Sequence, residues 1–169
     1  MTDLVTAANV RAAARVSALF ETEAIGLLGY FLRRVADRDD AADLVGETAL
    51  TLWRRADSIP EDEQQARMWM YGVARRTLAT HRRGHGRRLA LTDRLRDELS
   101  AGEPYPDPRV DEVKSAVRSL PPREREIIGL VHWEGFSVTQ AATIIGIRPG
   151  AAQMRYQRAR ARLRATLSG

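Results

Sequence analysis

Cysteine is absent from this 169-residue chain. That excludes disulfide frameworks, thiolate catalysis, cysteine-zinc sites and redox sensing through the chain's own thiols. Lysine is nearly absent too: Lys114 is the single one, and no glycine loop leads into it, so a P-loop is excluded. No stretch approaches the roughly 18 apolar residues of a membrane helix. The opening segment MTDLVTAANVRAAAR has no long apolar run before its first arginines, unlike a secretory signal. These absences predict a cytoplasmic protein with no membrane insertion. The three histidines are His81, His85 and His132. His81 and His85 share one helix face, but Arg82, Arg83, Arg87 and Arg88 around them repel a cation and no carboxylate lies close in sequence. No metal and no other cofactor is expected. With no nucleophile in view, and with Asp39, Asp40, Asp43 and Glu47 reading as a solvated helix N-terminus, the chain does not read as an enzyme.

What is present is enough apolar material for a core, 44% of the residues, and an uneven charge distribution. Residues 1–64 carry a net −5, residues 65–91 a net +7 with no acid at all, residues 92–120 a net −2, and residues 121–169 a net +5. Two basic segments separated by an acidic one are the footprint of a polyanion touched at two places.

Glycine and proline are sparse before residue 100 and then cluster in Ser100-Ala101-Gly102-Glu103-Pro104-Tyr105-Pro106-Asp107-Pro108. Prolines at alternate positions favour an extended backbone. The chain therefore divides into a domain over 14–90, a flexible linker over 91–110 and a domain over 111–168. Both are all-α. In the first, Val16, Leu19, Phe20, Leu27, Leu28, Phe31, Leu32 and Val35 recur at helical spacing over 13–36. A second helix over 39–55 buries Leu44, Val45, Leu52 and Trp53, with carboxylates in its first turns where the helix dipole favours them. Residues 56–65 read as a loop. A third helix over 66–83 carries Trp69, Met70, Val73 and Leu78 among arginines, and a minor helix is expected over 91–99. In the second domain, Val113, Val117 and Leu120 mark a short helix that Pro121-Pro122 stops. Pro122 opens the next helix, which runs to about Trp133.

The segment from Ser137 onward has the requirements of a helix-turn-helix. Ser137-Val138-Thr139-Gln140 fits a capping box. Ala141 and Ala142 allow close helix crossing, and Gly146 suits a C-cap. A turn over Ile145–Arg148 leads to a helix opened by Pro149. Along that helix Ala152, Tyr156, Ala159, Leu163 and Leu167 recur on an inward face. Arg155, Arg158 and Arg162 recur on an exposed one. Such a helix presents its N-terminal residues to base edges, while arginines also hold phosphates.

Leu120-Pro121-Pro122-Arg123-Glu124-Arg125-Glu126-Ile127, with Gly135-Phe136-Ser137, Ala141-Ala142, Ile145-Gly146-Ile147 and Arg155-Tyr156-Gln157-Arg158-Ala159-Arg160, resembles region four of bacterial sigma factors. The run from Asp39 to Thr48, then Leu52-Trp53-Arg54 and Ala66 to Arg76, resembles region two. Only these two regions fit, as in the short extracytoplasmic-function type. The resemblance covers roughly residues 14–90 and 111–167. It implies a factor that binds core RNA polymerase, through its β′ and β subunits, and directs promoter-specific initiation. It implies that Asp40, Asp43, Leu44 and Glu47 dock on the β′ clamp coiled coil. It implies that 56–83 melts the minus-ten element, with Arg75, Arg76, Arg82 and Arg83 (and Arg87 and Arg88) on the DNA backbone. Trp69 is an aromatic support for an unstacked base, or else a core residue. Arg148, Gln153, Arg155 and Arg158 would read the minus-thirty-five element, with the amides near Gly150 and Ala151 at a phosphate. An anti-sigma factor is the further partner it implies. Gly46 departs from the family, which often has glutamine there. The other open readings are a stand-alone helix-turn-helix regulator that binds duplex DNA without polymerase, and a nucleic-acid enzyme, for which no catalytic group is visible.

Overall fold

The computed structural model describes residues 2–85 and 108–168, with side chains from Thr6 to Gly84 and from Pro108 to Ser168. Among them all regular structure is helical, seven α-helices and one 3-10 turn. The chain divides into two compact units, Met1–Arg87 and Arg88–Gly169.

The first unit holds α1 (Thr2–Leu32), α2 (Arg38–Arg54) and α3 (Glu63–His85). The periodic apolar pattern places the start of α1 at 13; the helix begins at Thr2, through a stretch in which Ala7, Ala8, Arg11 and Ala12 are strong helix formers. It also stops earlier than 36. Arg34 and Val35 donate their amides to Phe31 O at 2.8 and 3.0 Å, closing a turn. Asp37 caps α2, its side chain accepting from the Asp39 amide at 2.8 Å.

The stretch 56–65 is not simply a loop. Ala56–Ser58 forms a 3-10 turn, and α3 starts at Glu63, where Asp62 accepts from the Gln65 amide at 2.8 Å. The acids that read as loop-forming act here as a helix cap. Arg15 of α1 fastens this corner, donating to Pro60 O and pairing with Glu61 at 3.4 Å.

The core of this unit is lined by Val16, Leu27, Phe31, Leu44, Leu52, Met70 and Val73, all buried. Tyr30 meets Phe31 and Tyr71 edge-on, at 5.2 and 5.6 Å between centroids. Gly26 leaves room for that cluster, since a Cβ there would come within 3.0 Å of the Tyr71 hydroxyl. Thr48 is polar but fully buried, and its own helix satisfies it through Leu44 O at 2.7 Å. Three expected core residues are not core: Leu28, Leu32 and Trp53 are 37%, 39% and 46% exposed. Each neighbours a buried residue in sequence, and one helical step rotates it about 100° away.

The second unit holds α4 (Pro108–Ser119), α5 (Pro122–His132), α6 (Val138–Ile145) and α7 (Pro149–Leu167). Pro108, expected in the linker, instead opens α4, since the first turn of a helix tolerates proline. The minor helix expected over 91–99 and most of the linker lie outside the described residues. Val113 is exposed, and Ala116 and Val117 turn inward in its place. Arg125 closes the α4–α5 corner by donating to Arg118 O at 2.6 Å and Leu120 O at 3.0 Å. Leu120, Ile128 and Ala159 form a buried cluster, with Tyr156 and Leu163 against it.

Candidate nucleic-acid interface

In the second unit the geometry begins at Ser137. Its hydroxyl accepts from the Gln140 amide at 3.1 Å, and Gln140 Oε1 accepts from the Ser137 amide at 2.9 Å. This reciprocal box fixes where α6 starts. Gly146 ends it at φ +81°, and the amides of Gly146 and Ile147 both donate to Ala142 O, at 2.9 and 3.0 Å. Ala141 and Ala142 are buried, as close helix contact requires. Arg148 then stands at the N-cap of α7, exposed, its donor-only guanidinium unable to accept from the helix amides.

Along α7, Ala152 and Ala159 are buried and Tyr156 and Leu163 half-buried, while Leu167 at 38% exposure has left the inward face. Gln153 and Arg158 are exposed and Arg155 is half-buried. Met154 is 58% exposed beside them. The inward periodicity of the helix placed no role on Met154; an apolar residue out of phase with the buried face is the signal that could have found it. Tyr156 stacks on His132 at 5.9 Å, and its hydroxyl lies 3.1 Å from His132 Nε2.

In the first unit, α2 has two opposed faces. Ala41, Leu44, Thr48 and Leu52 form the buried one. Asp43 and Glu47 are exposed on the other, with Leu50 (56%) and Trp53 continuing it. Asp40 is half-buried, and its Oδ2 lies 3.7 Å from His81 Nε2, an ion pair when that imidazole is protonated. The sequence puts no carboxylate beside His81; the fold does. A groove of about 270 Å³ runs between α2 and α3, lined by Glu47, Thr51, Val73, Arg76, Thr77 and Thr80. It places an open carboxylate and an open guanidinium on the same depression.

Farther along α3, Arg75 is half-buried and Arg76 exposed. Arg82 donates to Arg34 O at 3.2 Å, and Arg83 to Thr80 Oγ1 at 3.1 Å; both bonds are solvent-exposed. Trp69 is half-buried. Near the start of α3, Arg67 Nε donates to Glu23 Oε1 at 2.9 Å and its guanidinium lies 5.2 Å from the Tyr71 ring.

Comparison with known proteins assigns this arrangement. The chain matches sigma-70 region 2 over residues 19–88 and sigma-70 region 4 over residues 111–163. It is 30% identical over 167 residues to the ECF RNA polymerase sigma factor SigL of Mycobacterium tuberculosis, covering 96% of this chain and 94% of that one. The chain belongs to the extracytoplasmic-function (ECF) sigma factors of RNA polymerase. SigF of Caulobacter vibrioides is 34% identical over 145 residues, covering 81% and 79% of the two chains. Among solved structures, the sigma factor RpoE of Bartonella quintana, bound to the anti-sigma factor NepR, is similar at a TM-score of 0.62 and 25% identity, covering 99% of this chain and 98% of that one. CnrH, solved with the cytosolic domain of CnrY, has a TM-score of 0.66 at 23% identity over 95% of each chain, which supports the fold.

This sigma factor is therefore an initiation factor, a class without enzymatic activity of its own, and it directs promoter-specific transcription. One residue of the docking set has to be corrected. Leu44 is fully buried among the core side chains of α2, so it cannot meet a partner surface. Asp43 and Glu47 are open. Arg87 and Arg88 lie outside the described residues.

Proposed function

We propose a division of labour within this sigma factor. Asp43 and Glu47, with Asp40 at the edge of the patch, dock on the β′ clamp of core polymerase in the cytoplasm. The observation that carries this is the segregation of α2: an exposed face led by Asp43 and Glu47 and continued by Leu50 and Trp53, opposite a fully buried one. The α3 arginines Arg75, Arg76, Arg82 and Arg83 hold the backbone of the opened minus-ten strand, and Trp69 supports an unstacked base. In the second unit Arg148, Gln153, Arg155 and Arg158 read the minus-thirty-five duplex. Met154 adds an apolar surface suited to a thymine methyl.

An anti-sigma factor is the further partner proposed, supported by the similarity to the NepR-bound RpoE. The stand-alone regulator reading is not favoured, because it gives the acidic face of α2 nothing to do.

The deciding experiment is run-off transcription with core polymerase, on promoters recovered from a random-sequence pool by the holoenzyme. Specific transcripts should need this chain, and Asp43→Arg or Glu47→Arg should abolish them while duplex binding by the free chain persists. Specific transcripts undiminished by either reversal would remove the docking assignment.

A further inference from the structure

We infer that Glu124 is a specificity-determining positioning residue: it holds Arg162 against α5 and keeps that guanidinium off the DNA backbone. The inference rests on the reading of α7 as the minus-thirty-five helix. By spacing, Arg162 belongs with Arg155 and Arg158, seven and four residues before it, as a third cation on one flank of α7. The fold ties it to α5 instead. Its Nε lies 3.2 Å from Glu124 Oε2, and the two side chains are unequally buried, 10% exposed for the glutamate and 60% for the arginine.

That inequality decides which partner governs. A carboxylate so deeply placed needs a counter-charge, whereas an exposed arginine does not. Among the described residues no other cation pairs with Glu124, and Oε2 accepts no aligned hydrogen bond. Arg162 is thus the counter-charge, held by attraction rather than by a directed bond. Glu124 also sits one helical turn before Ile128, which packs with Ala159 of α7 and with Leu120 from the α4–α5 corner, so the pair lies along a seam that is already fixed.

The consequence concerns specificity. A phosphate-bound arginine strengthens binding to every sequence alike and so adds nothing to discrimination. Masking Arg162 lowers the sequence-independent share and leaves base contacts from the start of α7 to set the preference.

Binding of the full chain to a mixed-sequence duplex, measured by fluorescence anisotropy across a salt series, tests this. Glu124→Gln should steepen the slope of log K against log salt by about 0.9, one added phosphate contact, and so lose about threefold more affinity than the parent between roughly 50 and 200 mM salt. Arg162→Gln should leave the parent's slope where it is, yet remove the gain in the Glu124→Gln background. If Arg162→Gln flattens the slope equally in both backgrounds, the effect is one of net charge and the masking claim fails. It fails too if folded Glu124→Gln shows the parent's slope. Should Glu124→Gln not fold, Arg162→Gln alone decides: an unchanged slope supports masking, and a loss of about 0.9 overturns it. Arg155→Gln separates the two readings. Where the masking claim has failed, duplex binding left untouched by Arg155→Gln means that the assignment of α7 to DNA has failed too, and weakened binding means that only the masking has.

Discussion

Asp43 and Leu44 are neighbours in sequence and about 100° apart around α2, and that rotation gives them opposite work. Leu44 is fully buried, while Asp43 is open to solvent. Leu44→Ala should cost about 2–5 kcal/mol, the transfer term plus a cavity. Asp43→Arg should change stability by less than about 0.5 kcal/mol, as surface substitutions do. Urea denaturation, paired with a binding assay against core polymerase, separates them. Asp43→Arg should lose polymerase while staying folded. Leu44→Ala should bind in proportion to its folded fraction, and a folded Leu44→Ala chain with lost affinity would reopen its exclusion from the interface. The residue types of this site were legible from sequence, but their phase was not. A motif groups residues by proximity along the chain, whereas a helix sorts them by face. Arg162 shows the same gap: its spacing put it beside Arg155 and Arg158, and only the three-dimensional placement of Glu124 removed it.

At the scale of elements, legibility followed local chemistry. The capping box at Ser137, the Gly146 stop and the proline-opened α5 and α7 were all readable because each depends on a few adjacent residues. The start of α1 and the cap at Asp62 were missed because alanine runs and acidic clusters carry no apolar periodicity. The caps lend themselves to measurement. Ser137→Ala should destabilise α6 by about 1 kcal/mol. Gly146→Ala should cost about 1–2 kcal/mol through its left-handed backbone alone, since a Cβ there meets nothing within 4 Å. Hydrogen exchange of the α6 and α7 amides reads both, and Gly146→Asn should recover part of the loss because asparagine tolerates that conformation. Gly46 is the converse case. It lies inside α2 with open space around it and no positive φ, so Gly46→Ala should stabilise the first unit by about 0.5–1 kcal/mol. A drop in stability there would mean that the glycine serves a close approach this structure does not contain.

Across the whole molecule, charge and architecture agree: the net +7 segment runs through α3, and the net +5 segment contains α7. One strand state is assigned to each. An opened strand offers α3 fewer condensed counterions per phosphate than a duplex offers α7, so the two units should respond to salt on different substrates and by different amounts. Among the described residues, Arg82 and Arg83 each make one exposed hydrogen bond, weak enough to exchange for phosphate. Arg82→Gln/Arg83→Gln should therefore flatten the salt slope on a single-stranded minus-ten probe by about 1.4, at about 0.7 per phosphate. Arg155→Gln/Arg158→Gln should act on a minus-thirty-five duplex instead. If each contributes a phosphate contact, the slope there should fall by about 1.8; to the extent that either reads a base edge, the slope falls less and discrimination between sequences falls more. Anisotropy titrations of both variants against both probes give four slopes. A crossed pattern, with each pair of arginines felt on its own substrate alone, is the outcome the two-station reading requires, and equal effects on both probes would mean that the arginines form one undifferentiated polyanion surface.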